Sequence, residues 1–323
     1  MLLDTPTMYF RAYYAIPESV AAPDGRPVNA VRGTLDFIAH LVTRYRPDRL
    51  VACFDADWRP QFRVALLPSY KAHRVLEQLP AARASAAPGP NAAASASVEE
   101  VPDTLTPQVE ILLEVLAAFG IADGWAPGFE ADDAIAAYAA RHLEAIGDGS
   151  GRVQVVTGDR DLFQLVDDAA GVEVLNIARG VAKLEVMDDA AIAAKYSLPG
   201  GRAYADFAVL RGDPSDGLPG VAGVGDKTAA ALIDEYGSLT GLLAALEDPA
   251  STLKPAARKK LDAARDYLAV APEVVRVRAE AGVTSVDSRL PTVPARPDEL
   301  ARLAERYGLA GPINRLTKAL AEK

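Results

Sequence analysis

Short apolar runs that each end in an aspartate constrain this chain more than any other feature of its sequence. The runs are Leu2-Leu3 before Asp4, residues 49–54 before Asp55, and residues 153–156 before Thr157-Gly158-Asp159-Arg160-Asp161. Segments with helical periodicity separate them, and such alternation is typical of an α/β fold with a mostly parallel central sheet and flanking helices. Because ligands bind beyond the carboxyl ends of parallel strands, we expect these aspartates to meet at one edge of the sheet.

Helix signals complete this pattern. One predicted helix follows Pro27 and ends before Pro47, a second has Thr106 as its N-cap and Gly120 as its terminator, and a third opens at Glu130. A hairpin is predicted over 172–187, and helical periodicity continues near 192, 203–210, 226–236, 239–246 and 255–270. We therefore predict an α/β core over 1–188, an all-helical domain over 189–290, and a helical segment over 291–323 that packs back on the core. Residues 79–102 are rich in Ala, Ser and Pro, which predicts a mobile insertion.

Composition excludes several classes of protein. The length of 323 residues suits about two domains, and no apolar run approaches the ~20 residues that span a bilayer. The single cysteine, Cys53, rules out a disulfide framework. We expect a cytoplasmic protein without a membrane partner. The 44 acidic and 34 basic residues give a net charge of −10, which argues against a phosphate-bearing partner unless the acids are clustered.

The acids are indeed clustered, at strand ends and helix starts. A single acid there is most simply a cap or a first-turn residue, but Glu130, Asp132 and Asp133 exceed what one cap needs and would repel one another. The pattern recurs in Asp159-x-Asp161 and Asp213-x-x-Asp216. Carboxylates that converge on one crevice need cations, and oxygen ligands favour Mg²⁺ or Mn²⁺. Two such ions can support phosphoryl displacement.

Several motifs, in order, resemble those of the 5′-nuclease family, which comprises the 5′-nuclease domain of bacterial DNA polymerase I, phage 5′-exonucleases and flap endonucleases. The motifs are Met1-Leu2-Leu3-Asp4 with residues 10–15, Phe54-Asp55, residues 69–74, Gly128-Phe129-Glu130-Ala131-Asp132-Asp133, residues 157–161, residues 211–216, and residues 220–228. The resemblance covers roughly 1–290 and implies a PIN-like nuclease core with a helical arch and a helix–three-turn–helix DNA-binding domain. No polymerase domain follows, so we expect a free-standing 5′–3′ exonuclease.

The resemblance also implies roles for individual residues. The metal ligands would be Asp4, Asp55, Glu130, Asp132, Asp133, Asp159, Asp161, Asp213 and Asp216. Lys71 and Arg74 match the basic pair of the arch, and three-residue spacing predicts one helix face from which both reach the scissile phosphate. Contacts with DNA are expected from Arg11, Arg63, Tyr70, Gly220, Gly223, Gly225 and Lys227, although core packing is an equal alternative for Tyr70. Without the nine acids the chain would carry a formal charge of only −1.

The glycine loop over 220–228 resembles a P-loop but does not match one. Asp226 separates Gly225 from Lys227, and the loop follows Pro219 rather than a strand. Glycine turns that open onto a helix present N–H groups to a phosphate. In the resembled family this element grips the duplex backbone, with a K⁺ ion as a further expected ligand, and it does so without reading sequence.

The resemblance implies metal-dependent 5′–3′ exonuclease and 5′-flap endonuclease activity on DNA in replication, including Okazaki fragment processing, and in repair. RNA:DNA hybrids are a compatible substrate, and a monomer is expected. The chain departs from the family at Thr5, where Gly is usual, and at Gly217, where Asn is common. Two alternatives stay open: a catalytically silent DNA-binding scaffold, and a ribonuclease of the related PIN-like fold.

Overall fold

Six strands form a central sheet in a computed structural model that describes residues 1–75, 101–147 and 150–323. They are β1 (Leu2–Asp4), β2 (Val51–Cys53), β3 (Ala122–Gly124), β4 (Val153–Thr157), β5 (Val172–Asn176) and β6 (Glu185–Met187). Their order is β3-β2-β1-β4-β5-β6, and every neighbouring pair is parallel except β5 and β6. The predicted fold class, with a mostly parallel sheet, is confirmed.

One strand was not predicted, and one is shorter than predicted. Strand β3 contains only Ala, Asp and Gly at the edge of the sheet, and these residues have low strand propensity, so periodicity could not reveal it. The second arm of the predicted hairpin contributes only Glu185–Met187 to the sheet, because Val181–Lys183 forms a 3₁₀ turn.

Five helices belong to the α/β core: α1 (Thr5–Ala15), α2 (Asn29–Tyr45), α3 (Gln61–Leu66), α4 (Thr106–Phe119) and α5 (Ala131–Ile146). Helix α2 buries the apolar stripe that its sequence predicts, including Val31, Leu35 and Ile38. Helix α4 ends at Gly120, whose φ of 80° lies in the left-handed region that favours glycine. Two of these helices begin at predicted site acids, since Asp4 is the N-cap of α1 and Glu130 is the N-cap of α5.

The two faces of the sheet bury different cores, because neighbouring residues of a strand point to opposite faces. Leu3 and Val156 pack with α2 and α4 on one face, whereas Leu2 and Val155 pack on the other with helices from the C-terminal half. Those helices are α6 (Asp189–Tyr196), α7 (Tyr204–Arg211), α8 (Asp226–Tyr236), α9 (Leu239–Glu247), α10 (Pro255–Ala263) and α11 (Arg265–Val275). The sheet therefore shares one of its cores with the helical half.

The last two helices lie on the first face. They are α12 (Pro297–Tyr307) and α13 (Ala310–Ala321), and they pack against α4 and α2 respectively. The predicted insertion over 79–102, apart from Pro102 and its neighbour Val101, and any arch after Val75 lie outside the described residues.

Within the described parts of the chain, no single helix combines the length and apolar character needed to cross a membrane. The bent pair α8 and α9, with 78° between them, passes that test only when the two are taken together.

Candidate active site

The parallel strands bring acids together at their carboxyl ends, as predicted. Asp4 is the last residue of β1, Asp55 follows β2 and Asp159 follows β4. A cavity of about 580 Å³ opens there. Its walls include five of the nine predicted carboxylates and three predicted cations, namely Asp4, Asp55, Glu130, Asp132, Asp159, Arg11, Lys71 and Arg74.

Asp4 is fixed from two directions. It caps α1 by accepting a hydrogen bond from the Thr7 N–H at 3.1 Å, and its other oxygen accepts one from the Thr157 hydroxyl at 2.5 Å. The Thr157 hydroxyl oxygen also accepts the Asp159 N–H at 2.8 Å. Thr157 thus joins two acids of the site. Sequence reasoning missed it, although its place directly before Gly158 in the motif was the available signal.

The departure at Thr5 has a simple structural account. Thr5 and Pro6 are the first two residues of α1, and the Thr5 side chain is fully buried. Proline is favoured at a helix start because its missing N–H has no partner there in any case. The chain therefore turns directly from β1 into the helix with Asp4 at the junction.

Glu130 lies at the start of α5 and is surrounded by donors. Its Oε2 accepts hydrogen bonds from Arg63 Nη1 and from the Tyr70 hydroxyl, both at 2.6 Å, and its Oε1 pairs with Lys71 Nζ. Burial alone would raise the pKa of Glu130, but the positive charges of Lys71 and Arg63 outweigh it and lower that pKa. Tyr70 is itself buried, so the structure favours core packing for Tyr70 over stacking on a base.

Asp133 and Arg63 depart from their predicted roles. Two Arg63 nitrogens reach the two Asp133 oxygens at 2.7 Å each, and one of these oxygens also accepts the Arg278 N–H at 2.9 Å. Asp133 is fully buried, and the Arg63 side chain is 3% exposed. A bidentate pair of this kind satisfies the carboxylate without a metal. The structure therefore makes Asp133 a partner of Arg63 rather than a metal ligand, and it places Arg63 in the interior rather than against DNA.

Asp213 and Asp216 lie beyond the cavity wall and have partners of their own. Asp213 caps the short turn Pro214–Asp216 and accepts from Arg211 Nη2 at 3.1 Å. Asp216 pairs with Arg74 Nη2 at 2.8 Å. Both acids are electrostatic neighbours of Asp161, so they extend the cluster outward from the cavity.

Asp161 is the least satisfied acid of the cluster. Its Oδ1 is buried and has no hydrogen-bond partner among the described residues. Burial raises the pKa of Asp161 well above its usual value, and the negative charges of Asp159, Asp216 and Asp213 raise it further. A buried polar atom without a partner is costly, which marks this position as one that a cation could satisfy.

The acids on the cavity wall repel one another as well. Burial first, and then the negative charges of Asp4 and Asp159, raises the pKa of Asp132 well above its usual value. Burial likewise raises the pKa of Asp4. As placed, no three carboxylate, imidazole or thiolate groups of the described chain surround a common point as ligands of one ion would. The donor chemistry nevertheless fits a divalent cation, since oxygen ligands and uncompensated negative charge are what such an ion requires.

Lys71 and Arg74 do not share a helix face, contrary to the prediction. Lys71 has a φ of 48°, in the left-handed region, and the 3₁₀ turn Ala72–Arg74 begins only after it. The left-handed residue interrupts the helical path, so the two cations diverge, Lys71 to Glu130 and Arg74 to Asp216. Both still line the cavity.

The segment that carries Lys71 packs against the backbone at Gly217. The Lys71 N–H donates to the Asp216 carbonyl at 3.0 Å, and the Ser69 hydroxyl donates to the Gly217 carbonyl at 2.8 Å. A Cβ on Gly217 would lie 2.0 Å from the Ser69 carbonyl oxygen, and the φ of Gly217 is 71°. Only glycine allows this approach of two backbones, so the departure from Asn has a structural cause.

The glycine loop connects α7 to α8 on the surface. Gly223, Gly225 and Lys227 are exposed, and Gly220 is half-buried with a φ of 66°. Gly225 caps α8, and Lys227 lies in its first turn. These positions agree with the expected presentation of N–H groups at a helix start.

Two basic residues near this loop have structural partners. Lys260 Nζ donates to the Gly223 carbonyl at 2.7 Å and so braces the loop. Arg258 donates to carbonyls at the end of α9, including that of Asp248 at 2.8 Å.

Arg11, on the wall of the carboxylate cavity, donates to the Ala178 carbonyl at 2.6 Å.

Comparison with known proteins identifies the family. The chain matches the model of the 5′-3′ exonuclease N-terminal resolvase-like domain over residues 1–197 and that of the 5′-3′ exonuclease C-terminal SAM fold over residues 200–297. The chain belongs to the 5′-3′ exonuclease family. A 5′-3′ exonuclease of Streptomyces coelicolor is 54% identical over 320 residues, covering 99% of both chains. One from Mycobacterium tuberculosis is 50% identical and covers 99% of this chain and 97% of its own.

Members of the same family are also found as part of larger proteins. DNA polymerase I of Mycobacterium tuberculosis is 42% identical over 244 residues, which is 75% of this chain and 24% of the polymerase. Among solved structures, T5 5′-exonuclease with divalent zinc ions superposes with a TM-score of 0.62 at 17% identity, covering 100% of this chain and 98% of its own. The catalytic core of Rad2 in complex with DNA substrate superposes with a TM-score of 0.57 at 20% identity, covering 100% of this chain and 92% of its own. These neighbours show that the fold is shared.

Proposed function

We propose that this member of the family is a divalent-metal-dependent 5′–3′ exonuclease and 5′-flap endonuclease that hydrolyses DNA. The observation that carries the proposal is one cavity at the strand ends in which Asp4, Asp132 and Asp159 lie beside Lys71 and Arg74. The neighbours support it, since T5 structures are described with zinc, and with DNA and metal ions, and the Rad2 core with DNA substrate.

Mg²⁺ or Mn²⁺ would be held by the acids at the carboxyl ends of the strands and by their acidic neighbours. On the cavity wall these are Asp4, Asp55, Asp132 and Asp159, and further out they are Asp161, Asp213 and Asp216. Bound there, two ions would activate water and stabilise the leaving oxygen of the phosphodiester. Glu130 is joined to this set through Lys71, and Asp133 supports it through Arg63.

Lys71 and Arg74 supply positive charge for the substrate phosphate. Burial alone would lower the pKa of Lys71, but Glu130 raises it well above its usual value, so the ammonium group stays protonated. A fixed cation on the cavity wall binds the scissile phosphate and offsets the charge that develops on it. Thr157 meanwhile keeps Asp4 and Asp159 in their orientation.

The glycine loop is proposed to hold the duplex away from the point of cleavage. The exposed N–H groups of Gly223 and Gly225 and the Lys227 ammonium group suit a backbone phosphate. The carbonyl oxygens of this loop would hold a K⁺ ion, which would supply further positive charge for the phosphate. Contacts of this kind position DNA without reading its sequence.

A product-length assay on 5′-labelled flap, nicked and blunt duplexes tests the proposal. In Mg²⁺ we expect short products from 5′ ends and cuts at the flap junction, and in EDTA we expect no cleavage. Matched RNA flaps and RNA:DNA hybrids separate the alternatives, because a PIN-like ribonuclease would prefer the RNA flap. Cleavage that continues in EDTA would overturn the metal dependence, and no cleavage of any substrate would favour a DNA-binding scaffold.

We also propose that the protein removes flaps during replication and repair, and that it acts as a monomer in the cytoplasm. Light scattering of the purified protein, alone and with a flap duplex, tests the stoichiometry, for which we expect one chain per duplex.

A further inference from the structure

A second cavity, of about 840 Å³, lies at the opposite edge of the sheet. Its walls include Leu2, Val51 and Val153, which are the first residues of β1, β2 and β4. Because these strands are parallel, the carboxylate cavity lies at their other ends. The proposed nuclease activity does not use this second cavity.

The charged side chains that line it are mostly basic. They are Arg46, Arg49, Arg141 and Arg152, against the acids Asp48 and Glu173. The wall thus carries an excess of two positive charges in a chain whose net charge is −10. A local excess of the opposite sign in an acidic protein attracts anions to that place rather than to the surface at large.

None of these four arginines forms a salt bridge within the described chain, although Arg49 is an electrostatic neighbour of Asp287, which pairs with Arg289. Arg46 and Arg152 make no side-chain hydrogen bond or ion pair there. Arg49 donates to the Ser288 hydroxyl at 3.2 Å and Arg141 to the Val283 carbonyl at 3.2 Å, both neutral acceptors. Their guanidinium groups therefore keep free donors, and a guanidinium fork matches the oxygens of a phosphate group.

Two further observations point to a ligand. Tyr45 lines the cavity, and its hydroxyl oxygen is buried beside the wall without a hydrogen-bond partner among the described residues. The rings of Tyr45 and Tyr138 add apolar wall that suits a flat group.

We propose that this cavity binds a nucleotide through its phosphate monoester. The arginines would hold the phosphate, and the tyrosine wall would contact the nucleoside. The volume lies within the roughly 300–1,000 Å³ of pockets that enclose a small molecule. The same chemistry has two sources, a free nucleoside monophosphate and the phosphorylated end of a strand.

Calorimetric titration in EDTA tests the site without cleavage. The probes are dAMP, inorganic phosphate, deoxyadenosine, and a ten-nucleotide strand with and without a 5′-phosphate. We expect dAMP to bind more tightly than phosphate or deoxyadenosine. Arg49→Gln/Arg141→Gln should weaken dAMP binding by roughly tenfold or more, as expected for the loss of charge-assisted hydrogen bonds.

Matched variants isolate the cavity from the rest of the surface. Arg302→Gln on α12 removes an exposed arginine elsewhere and should leave dAMP binding unchanged. Arg152→Gln serves as the second test and should also weaken binding. The Arg152 side chain is exposed and makes no hydrogen bond or ion pair within the described chain, so its replacement should not unfold the protein. All three variants should cleave flap DNA at the wild-type rate, so failure of this proposal is distinct from failure of the nuclease proposal.

The titrations distinguish a strand end from a free nucleotide as the ligand, and both from the absence of a site. A 5′-phosphorylated strand that binds more tightly than dAMP, with the same loss in Arg49→Gln/Arg141→Gln, supports the site and identifies a strand end as its ligand. Equal dAMP binding by the wild type and both cavity variants would overturn the proposal. Inorganic phosphate that binds as tightly as dAMP would overturn the assignment to a nucleotide.

Discussion

At the scale of single residues, neighbouring carboxylates of one motif have different chemistry. Asp132 and Asp133 are adjacent in sequence, yet Asp132 faces other acids in the cavity while Asp133 is neutralised by Arg63. The direction in which each side chain leaves the first turn of α5 decides this. The sequence shows both acids but cannot show that the arginine seventy positions earlier belongs to one of them.

This difference predicts unlike effects for adjacent substitutions. Asp132→Asn should weaken Mn²⁺ binding, measured by electron paramagnetic resonance, while Asp133→Asn should leave it within about twofold. Asp133→Asn should instead lower the free energy of unfolding in urea by about 3–5 kcal/mol, because it leaves Arg63 buried without its partner. Equal loss of Mn²⁺ affinity in the two variants would restore Asp133 to the metal ligands.

The raised pKa of Asp161 predicts a gain in stability when its charge is removed. An acid whose pKa is higher in the folded protein than in the unfolded chain costs folding free energy once it ionises, so the cost grows as pH rises above about 4. In EDTA at pH 8, Asp161→Asn should therefore be more stable than the wild type by about 0.5–2 kcal/mol. This difference in the free energy of unfolding between Asp161→Asn and the wild type should become smaller toward pH 4.

Urea unfolding at several pH values measures that difference. Asp234→Asn, which changes an exposed acid on α8, is the control. Its free energy of unfolding should differ little from that of the wild type at any of these pH values. If Asp161→Asn is less stable than the wild type at pH 8, the mutual repulsion inferred for the cluster is wrong.

At the scale of elements, two short segments from distant parts of the chain complete the cavity. Residues 69–71 dock on the turn at 213–217 through two backbone carbonyls, and α3 carries Arg63 to the end of α11, where its Nε donates to the Val274 carbonyl at 2.9 Å. The helical half thus positions side chains of the α/β core. Arg59, also missed from sequence, contributes by donating to the Tyr70 carbonyl at 2.6 Å.

Gly217→Ala should disturb this docking. The added Cβ would meet the Ser69 carbonyl, and the left-handed backbone disfavours alanine, so we expect a loss of about 1–3 kcal/mol in the free energy of unfolding and slower flap cleavage. Gly282→Ala is the matched control, because a Cβ there has nothing within 4 Å. Similar thermal midpoints for the two variants would contradict the close approach.

Lys71→Ala tests the role of the docked segment in cleavage. Single-turnover rates on flap DNA should fall by roughly 10- to 100-fold, because a preorganised positive charge is lost, while duplex affinity measured by fluorescence anisotropy in Ca²⁺ should change little. Lys259→Ala, an exposed lysine on α10, should leave the rate unchanged. An unaltered rate in Lys71→Ala would reject its catalytic role.

At the scale of the whole molecule, the net charge of −10 is distributed unevenly over the surface. Much of it is in the acids at the carboxyl ends of the strands, while the other end of the same sheet has an arginine-lined cavity. The sheet therefore separates two surfaces of opposite charge. A global charge count hides this arrangement.

The same scale shows how far sequence reasoning reaches. Local patterns predict the strands that end at Asp4, just before Asp55 and at Thr157, and the helix that opens at Glu130. The structure confirms that these elements meet at one edge of the sheet. The partners of Asp133 and Asp216, and the left-handed Lys71, depend on tertiary contacts between distant residues. No periodicity or spacing encodes those contacts.

Cleavage of a 5′-labelled DNA flap by Asp159→Asn in Mg²⁺ tests the central claim most directly. The substitution retains an oxygen that can accept the Asp161 N–H, now at 2.8 Å, but removes the negative charge. We predict a single-turnover rate lower by roughly 100-fold or more, with flap affinity in Ca²⁺ within a few-fold of the wild type. Cleavage at the wild-type rate would contradict the assignment of this cavity as the active site.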